Sequence, residues 1–276
     1  ANIGCELSKH FSLRADVSIA DFRAENPGQI TAPLFDNTVD VLRGVTSFTV
    51  ANNFKHSDGA LSFFYNWGYH EINDGYKTGE KPLNYRYHSR DYNYGILFYQ
   101  IVRMWKGNML TLGFDYKSYG GKAWNHFLTE TPDKVMVDTS AYDLGGYAIL
   151  QQNLFKDVLT LNAGVRLEHN EAFGNKWIPQ LGLALRPTEN FVIKSSFSKG
   201  FRNPTIREMF MWAPANPDLK PEEVTNYEVV LEHTFFKKKM NIEVSGFIAD
   251  GDNLIQTQII DGNPKNVNTG SFKNKG

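Results

Sequence analysis

Residues 196–223 read SFSKGFRNPTIREMFMWAPANPDLKPEE. Pro204, Pro214, Pro217 and Pro221 all fall inside this stretch. Proline lacks the N–H that a sheet ladder needs and drives the preceding residue towards extended backbone, so no continuous strand is predicted here. On either side, over 191–198 and 224–233, the sequence alternates as strands do. The stretch is therefore predicted to be an ordered excursion between one strand arriving and another leaving.

The same alternation extends outward through the chain. Over 158–168, Leu159, Leu161, Ala163, Val165 and Leu167 stand opposite Thr160, Asn162, Gly164, Arg166 and Glu168. A sandwich core seldom places Arg and Glu so regularly on one face. Further strands are predicted at 3–7, 11–20, 42–51, 61–72, 88–103, 109–119, 139–153, 177–185 and 241–249, about thirteen segments in all. Long polar loops are expected at 25–39 and 73–86. Short turns are expected at 53–59, 105–108, 154–157 and 186–190, and at Lys237-Lys238-Lys239. Connections that are alternately short and long describe an outer-membrane barrel with short periplasmic turns and long external loops.

Composition points the same way. Aromatic residues make up 14% of the chain and hydrophobic residues 41%, and the mean hydropathy is −0.41. A transmembrane barrel turns only alternate residues to lipid, so its average hydropathy looks soluble. No uninterrupted apolar run approaches the roughly 20 residues of a spanning helix. A propeller needs a blade repeat of about 40 residues, which is not found. A soluble sandwich is the remaining rival. The formal charge of −1 gives no clustered basic face for nucleic acid. The single cysteine, Cys5, sits in an alternating segment and reads as packing filler. The opening residues ANIGCELSK hold no basic region followed by an apolar one, so a signal peptide is expected to have preceded them.

The two boxes carry a resemblance. Phe201-Arg202-Asn203-Pro204 and Asn216-Pro217-Asp218-Leu219-Lys220-Pro221-Glu222 are similar to the paired FRxP and NPxLKPE signatures of TonB-dependent outer-membrane receptors. Either box alone is weak; the pair, flanked by barrel-type strands, is specific. The resemblance implies part of an antiparallel transmembrane barrel of about 22 strands, with a plug and the last strands lying outside these residues. The segment 265–270 (KNVNTG) resembles the lead into a later strand. The implied partners are outer-membrane lipid, TonB acting through the plug, and a small metal chelate. The implied function is energised uptake, with an iron–siderophore complex as first choice and cobalamin, copper and haem as alternatives. A passive porin-like or structural barrel is the other class.

No nucleophile–base arrangement, phosphate loop, HExxH or CxxC is present, so neither an enzyme nor a cofactor is expected. Arg202 offers a planar fork of donors to an anionic chelate, with pairing to Glu208 or Glu222 as the plainer reading. Haem receptors of the family carry a histidine between the boxes, and 205–215 has none. It has Met209, Met211 and Trp212, soft enough for copper and equally suited to packing the loop. His70, His88, His126 and His169 fall near outer strand ends. Tyr69, Tyr76, Tyr85, Tyr87, Tyr92, Tyr94 and Trp124 gather at the rim, where an interfacial girdle accounts for part of them and stacking on a chelate for those that point inward.

Overall fold

A computed structural model describes residues 1–211, 213–236 and 239–276. The described residues form fourteen strands: β1 Asn2–Glu6, β2 Phe11–Glu25, β3 Gly28–Gln29, β4 Ala32–Phe54, β5 Ser57–Lys77, β6 Tyr85–Val102, β7 Asn108–Phe127, β8 Lys134–Leu154, β9 Leu159–Asn170, β10 Gly174–Thr188, β11 Phe191–Arg202, β12 Glu222–Phe235, β13 Met240–Ile260 and β14 Asn263–Lys275. One short helix, α1 Ile206–Phe210, interrupts them. In the sheet each strand neighbours its successor, β1-β2-β4 and on to β14, and β3 pairs with β4.

Contacts group into two compact units. The first comprises 1–51, 61–96 and 116–142; the second comprises 52–60, 97–115 and 143–276. In the second unit the ladders are continuous from β8 to β14, and every pair is antiparallel. Opposed residues share a face, so Leu161 meets Leu183, Leu167 meets Trp177, Leu181 meets Phe197, Phe197 meets Tyr227 and Tyr227 meets Ile248. That face is apolar and open, with Trp177 62% and Val244 62% exposed. The opposite face carries Asn162, Arg166, Glu168, Gln180 and Lys194. In the first unit Phe63 and Tyr65 are likewise exposed, while Asn66 and Gly68 point the other way.

Among the described residues the buried polar side chains are His88, Asn108, Asp115, Ser118, Asp143, Thr160, Asn170, Asn216 and Asn266. The buried apolar ones are only Val41, Ala60, Tyr87, Ala123, Val137 and Leu219. A sandwich buries its Leu, Ile and Phe, whereas here many of those side chains are exposed and the buried side chains are mostly polar. The arrangement is the one a bilayer imposes on a barrel wall.

Three expectations are corrected. The loop expected at 25–39 is mostly strand, since β2 runs to Glu25 and β4 starts at Ala32. The loop at 73–86 shrinks to 78–84. The supposed regular run of long outer connections fails at β9–β10, which turns within 171–173, and at β13–β14, which turns within 261–262. The physical reason is common to all three. Beyond the apolar band both faces of a strand are polar, so the period-two signal disappears while the backbone ladder continues. Arg23 reaching Asp40 at 2.6 Å and 2.9 Å fastens one such polar extension. At β9–β10, Asn170 Oδ1 accepts from Ala172 N at 2.8 Å and Phe173 N at 2.9 Å, and Gly174 takes the positive φ of 70° that closes the turn. The expected excursion does stand between β11 and β12. Lys237 and Lys238 of the expected lysine turn lie outside the described residues.

Candidate functional site

The two proline boxes fold as one clip. Thr205 caps α1, its hydroxyl accepting from Glu208 N at 3.1 Å, while Glu208 Oε2 accepts from Thr205 N at 2.8 Å. The same carboxylate accepts from Arg202 Nη1 at 2.9 Å and Nη2 at 3.1 Å, and Arg202 Nε donates to Glu222 Oε2 at 2.6 Å. Arg202 thus joins the first box to the end of the second. Glu208 lies outside the strands. Burial works to raise its carboxyl, but hydrogen bonds from Arg202 and Thr205 outweigh it and hold the group below its ordinary 4.5.

The clip is fastened to the β13–β14 hairpin. Asn216 Nδ2 donates to Asn266 O at 2.7 Å, and Asn266 N donates to Pro214 O at 2.6 Å. Asn268 Nδ2 donates to Lys220 O at 2.9 Å, and its Oδ1 accepts from Lys220 N at 2.8 Å. Glu222 Oε1 accepts from Ile255 N at 2.7 Å. Pro204, Asn216, Leu219 and Pro221 are buried, while Arg202, Pro217, Asp218 and Lys220 remain exposed and Phe201 and Asn203 are half-buried. Sequence reading did not anticipate Asn266 and Asn268 as partners of the boxes. Their place in KNVNTG was the available signal.

Two groups on the polar face join residues expected from the sequence, His70, Tyr85 and Tyr87 among them, to partners that were not. In the first unit Asp91 binds Arg43 Nη2 through Oδ2 at 2.5 Å, and its Oδ1 lies 3.7 Å from His70 Nδ1, which also meets Ser89 Oγ at 3.2 Å. Tyr85 and Tyr87 stand at spacing two from Asp91 towards the long connection, with Tyr85 edge-on to Phe127 at 5.9 Å. In the second unit Arg166 grips Asp115 and donates through Nε to Glu168 Oε2 at 2.8 Å. The Arg and Glu of 158–168 were visible in the sequence; their partner Asp115 was not.

Four predicted residues come together in the first unit. Tyr69 OH lies 2.6 Å from His88 Nδ1; the His88 ring stacks on Trp124 at 5.5 Å and meets His126 edge-on at 5.5 Å. His126 Nδ1 is 2.9 Å from Asp133 Oδ1. Tyr69 continues the run Phe63, Tyr65, Trp67 at spacing two, so this cluster stands on the apolar-run face, away from His70 and Asp91. Tyr92 and Tyr94, stacked at 5.9 Å, follow His88 and Arg90 on the same face of β6. His169 shares a face with Leu161, Val165 and Leu167, and its Nδ1 is 2.8 Å from Asn175 Oδ1. Met209 and Met211 are half-buried at α1, and Trp212 lies outside the described residues. Tyr76 pairs with Phe35 at 5.6 Å. Among the described residues no three His, Cys, Asp or Glu side chains converge to hold a metal.

With this geometry in place the comparisons are decisive. Residues 10–276 match the family model described as TonB dependent receptor-like, beta-barrel. The chain belongs to the TonB-dependent receptor family. It is accordingly an outer-membrane β-barrel segment of the Gram-negative type, from a family of receptors rather than enzymes. One curated relative is the vitamin B12 transporter BtuB of Vibrio vulnificus (strain YJ016), 26% identical over 153 residues, which cover 53% of this chain and 22% of the relative. The siderophore receptor PirA of Acinetobacter baumannii superposes with a TM-score of 0.77 at 14% identity, over 99% of this chain and 48% of that one. The copper transporter OprC superposes with a TM-score of 0.79 at 12% identity, over 99% of this chain and 48% of that one. The chain therefore spans about half the length of those solved receptors, and the structural likeness concerns the fold.

Proposed function

We propose that the intact protein is an energised importer that binds a scarce metal chelate at its outer mouth and passes it through the barrel when TonB acts on a plug. An iron–siderophore complex is the favoured cargo. The observation that carries this reading is the polar face of the first unit, where Tyr85 and Phe127 stand at the ends of β6 and β7, and Asp91 further along β6 meets Arg43 of β4 and lies near His70 of β5. Aromatic edges backed by fixed polar groups are what a large, dilute, oxygen-rich chelate needs for tight capture. Arg202 enters this reading as a structural residue, because its donors are taken by Glu208 and Glu222. Met209 and Met211 enter as packing of the clip. His88, His126, Tyr69 and Trp124 are set aside as direct ligand contacts, because they lie on the apolar-run face.

A second reading, cobalamin, is favoured by the BtuB relatives, which match by sequence where the solved receptors match by fold. Growth of a deletion strain carrying the intact gene, on siderophore-bound iron as sole iron source, tests the first reading. Restoration that requires TonB supports it. Restored growth on limiting cobalamin with no effect on iron transfers the cargo to cobalamin, and copper accumulation alone transfers it to copper. Uptake that persists without TonB and does not saturate marks a passive barrel.

A further inference from the structure

The outer-facing surface of the first unit holds a cleft of about 470 Å³ that no transport reading uses. Tyr65, Trp67, Gly68, Tyr69, Arg90, Asp91 and Tyr92 line it. Its walls are aromatic and it opens on the face that carries the exposed Phe63, Tyr65 and Tyr94. Hydrocarbon is what such a wall meets in a membrane. One end of the cleft, however, is charged. The Arg90 guanidinium lies 5.7 Å above the Tyr69 ring and 5.8 Å above Trp124, with Lys122 Nζ 6.0 Å from Trp124.

Position along the strand tells what this end meets. From Ser57, where β5 begins at the short-turn end, Phe63 lies about 20 Å and Tyr69 about 40 Å along the strand at ~3.3 Å per residue, or about 15 Å and about 30 Å of height at a tilt of ~40°. The apolar band of an outer-membrane barrel is ~25 Å tall. Phe63 and Tyr65 therefore sit in the acyl region, and Arg90 stands at headgroup level, on the side of the connection 78–84. Short turns mark the periplasmic side of this family's barrels, and 78–84 joins the opposite ends of β5 and β6, so the leaflet is the outer one.

The other charges at the cluster are engaged. Lys122 lies 3.7 Å from Asp138, His88 3.9 Å from Glu71, and His126 2.9 Å from Asp133. Arg90 is exposed, and among the described residues it meets rings and no carboxylate at ion-pair distance. A guanidinium placed over two rings and without a carboxylate partner keeps N–H donors free, and such a fork matches phosphate in two-point hydrogen bonding. We propose that this cleft is a lipid site: it seats an acyl chain of a phosphate-bearing lipid of the outer leaflet, with Arg90 binding the phosphate and Tyr69 and Trp124 orienting Arg90. The proposal rests on the barrel family and on no particular cargo.

The test uses the intact protein in mild detergent, with diphosphoryl lipid A as probe and a phosphate-free derivative of the same acyl composition as control. Native mass spectrometry reads retained lipid, and heat-modifiable gel migration verifies that each variant is folded. Wild type is expected to retain lipid A at least tenfold more tightly than Arg90→Gln, Arg90→Lys is expected to recover part of the loss, and the phosphate-free derivative is expected to bind both alike. Equal retention of lipid A by wild type and Arg90→Gln overturns the proposal, as does equal binding of the two probes to wild type. Loss of chelate binding in Arg90→Gln with lipid retention unchanged would assign the cleft to the cargo and overturn the lipid site. If the variant does not fold, Trp67→Leu, which removes an aromatic wall and keeps Arg90, must still release the acyl chain and lower retention of both probes; no change there also overturns it.

Discussion

Arg166 on β9 holds Asp115 on β7 with both terminal nitrogens, at 2.6 Å and 2.8 Å, across the polar face of the second unit. Glu168 accepts from its Nε, and the Tyr147 ring lies 5.9 Å from the guanidinium. Space for this array comes from missing side chains. A Cβ on Gly145 would stand 2.2 Å from Arg166 Nη2, and one on Gly113 would stand 2.0 Å from the Tyr147 ring. Glycine at both positions leaves the space that the two groups occupy. Because the Asp115 and Arg166 side chains are 11% and 24% exposed, Asp115→Ala is expected to destabilise the barrel by about 3 kcal/mol, most of it from the guanidinium left with Glu168 as its one carboxylate. Replacing both residues by apolar ones of similar volume should recover much of that loss. A double-mutant cycle by urea unfolding in lipid vesicles checks the coupling, and additive single effects would deny it.

The opposition of faces on β9 makes a sharper prediction. Leu161 lies on the apolar face, paired with Leu183, and Asn162 lies on the polar face beside it. Arginine on the lipid side of a barrel costs about 2 to 4 kcal/mol at mid-bilayer. Leu161→Arg should therefore lose roughly that much, while Asn162→Arg should fold nearly as well as wild type. Folding yield into vesicles of defined thickness distinguishes them, and equal yields would mean that the faces have been assigned wrongly.

Topology is open to a direct check on cells producing the intact protein. An epitope tag inserted after Ala213, in the connection between β11 and β12, should bind antibody on unbroken cells. The same tag placed within 155–157, between β8 and β9, should bind only after the outer membrane is permeabilised. Short turns on the periplasmic side are the reason. The opposite labelling pattern would invert the barrel.

How much of this could be read before the structure depended on whether a signal was local. Alternation from Leu159 to Glu168 announced both the strand and its two faces, because period two is written in adjacent residues. The boxes announced the excursion, because proline removes ladder donors wherever it stands. The polar ends of β2 and β4 were silent, since Arg23 and Asp40 mark no face and only their contact fastens the strands. Pairs such as Arg166 with Asp115, or Asn216 with Asn266, lie 51 and 50 residues apart and depend on register, which residue type alone does not encode. Faces of the rim aromatics were hidden for a related reason. Tyr69 and His70 are adjacent in the chain, and each looked equally suited to a ligand until their contacts, Tyr69 with His88 and His70 near Asp91, put them on opposite sides.

The clip between the boxes should respond to acid through one carboxylate. Glu208 Oε2 accepts from Arg202 Nη1, Thr205 N and Thr205 Oγ1 at 2.9, 2.8 and 3.0 Å. All three bonds favour the ionised form, and together with the charge of Arg202 they outweigh burial and hold the group below 4.5. A carboxyl lowered in this way lends the folded clip stability that is fully present above the unfolded value near 4.5. That contribution is lost as pH falls through the lower folded value, where protonation ends the ion pair with Arg202. Limited proteolysis of the intact protein by an acid-active protease, between pH 6 and pH 2.5, reads this as cleavage within 203–221. Wild type should stay resistant at pH 4.5 and become sensitive at lower pH. Glu208→Gln carries no titrating group there and removes the carboxylate that pairs with Arg202, so it should be more sensitive at neutral pH and lack the acid step that Glu208 causes. An acid step of the same size in both proteins would place the titration elsewhere, with Glu222 the next group to change, since it binds the same Arg202.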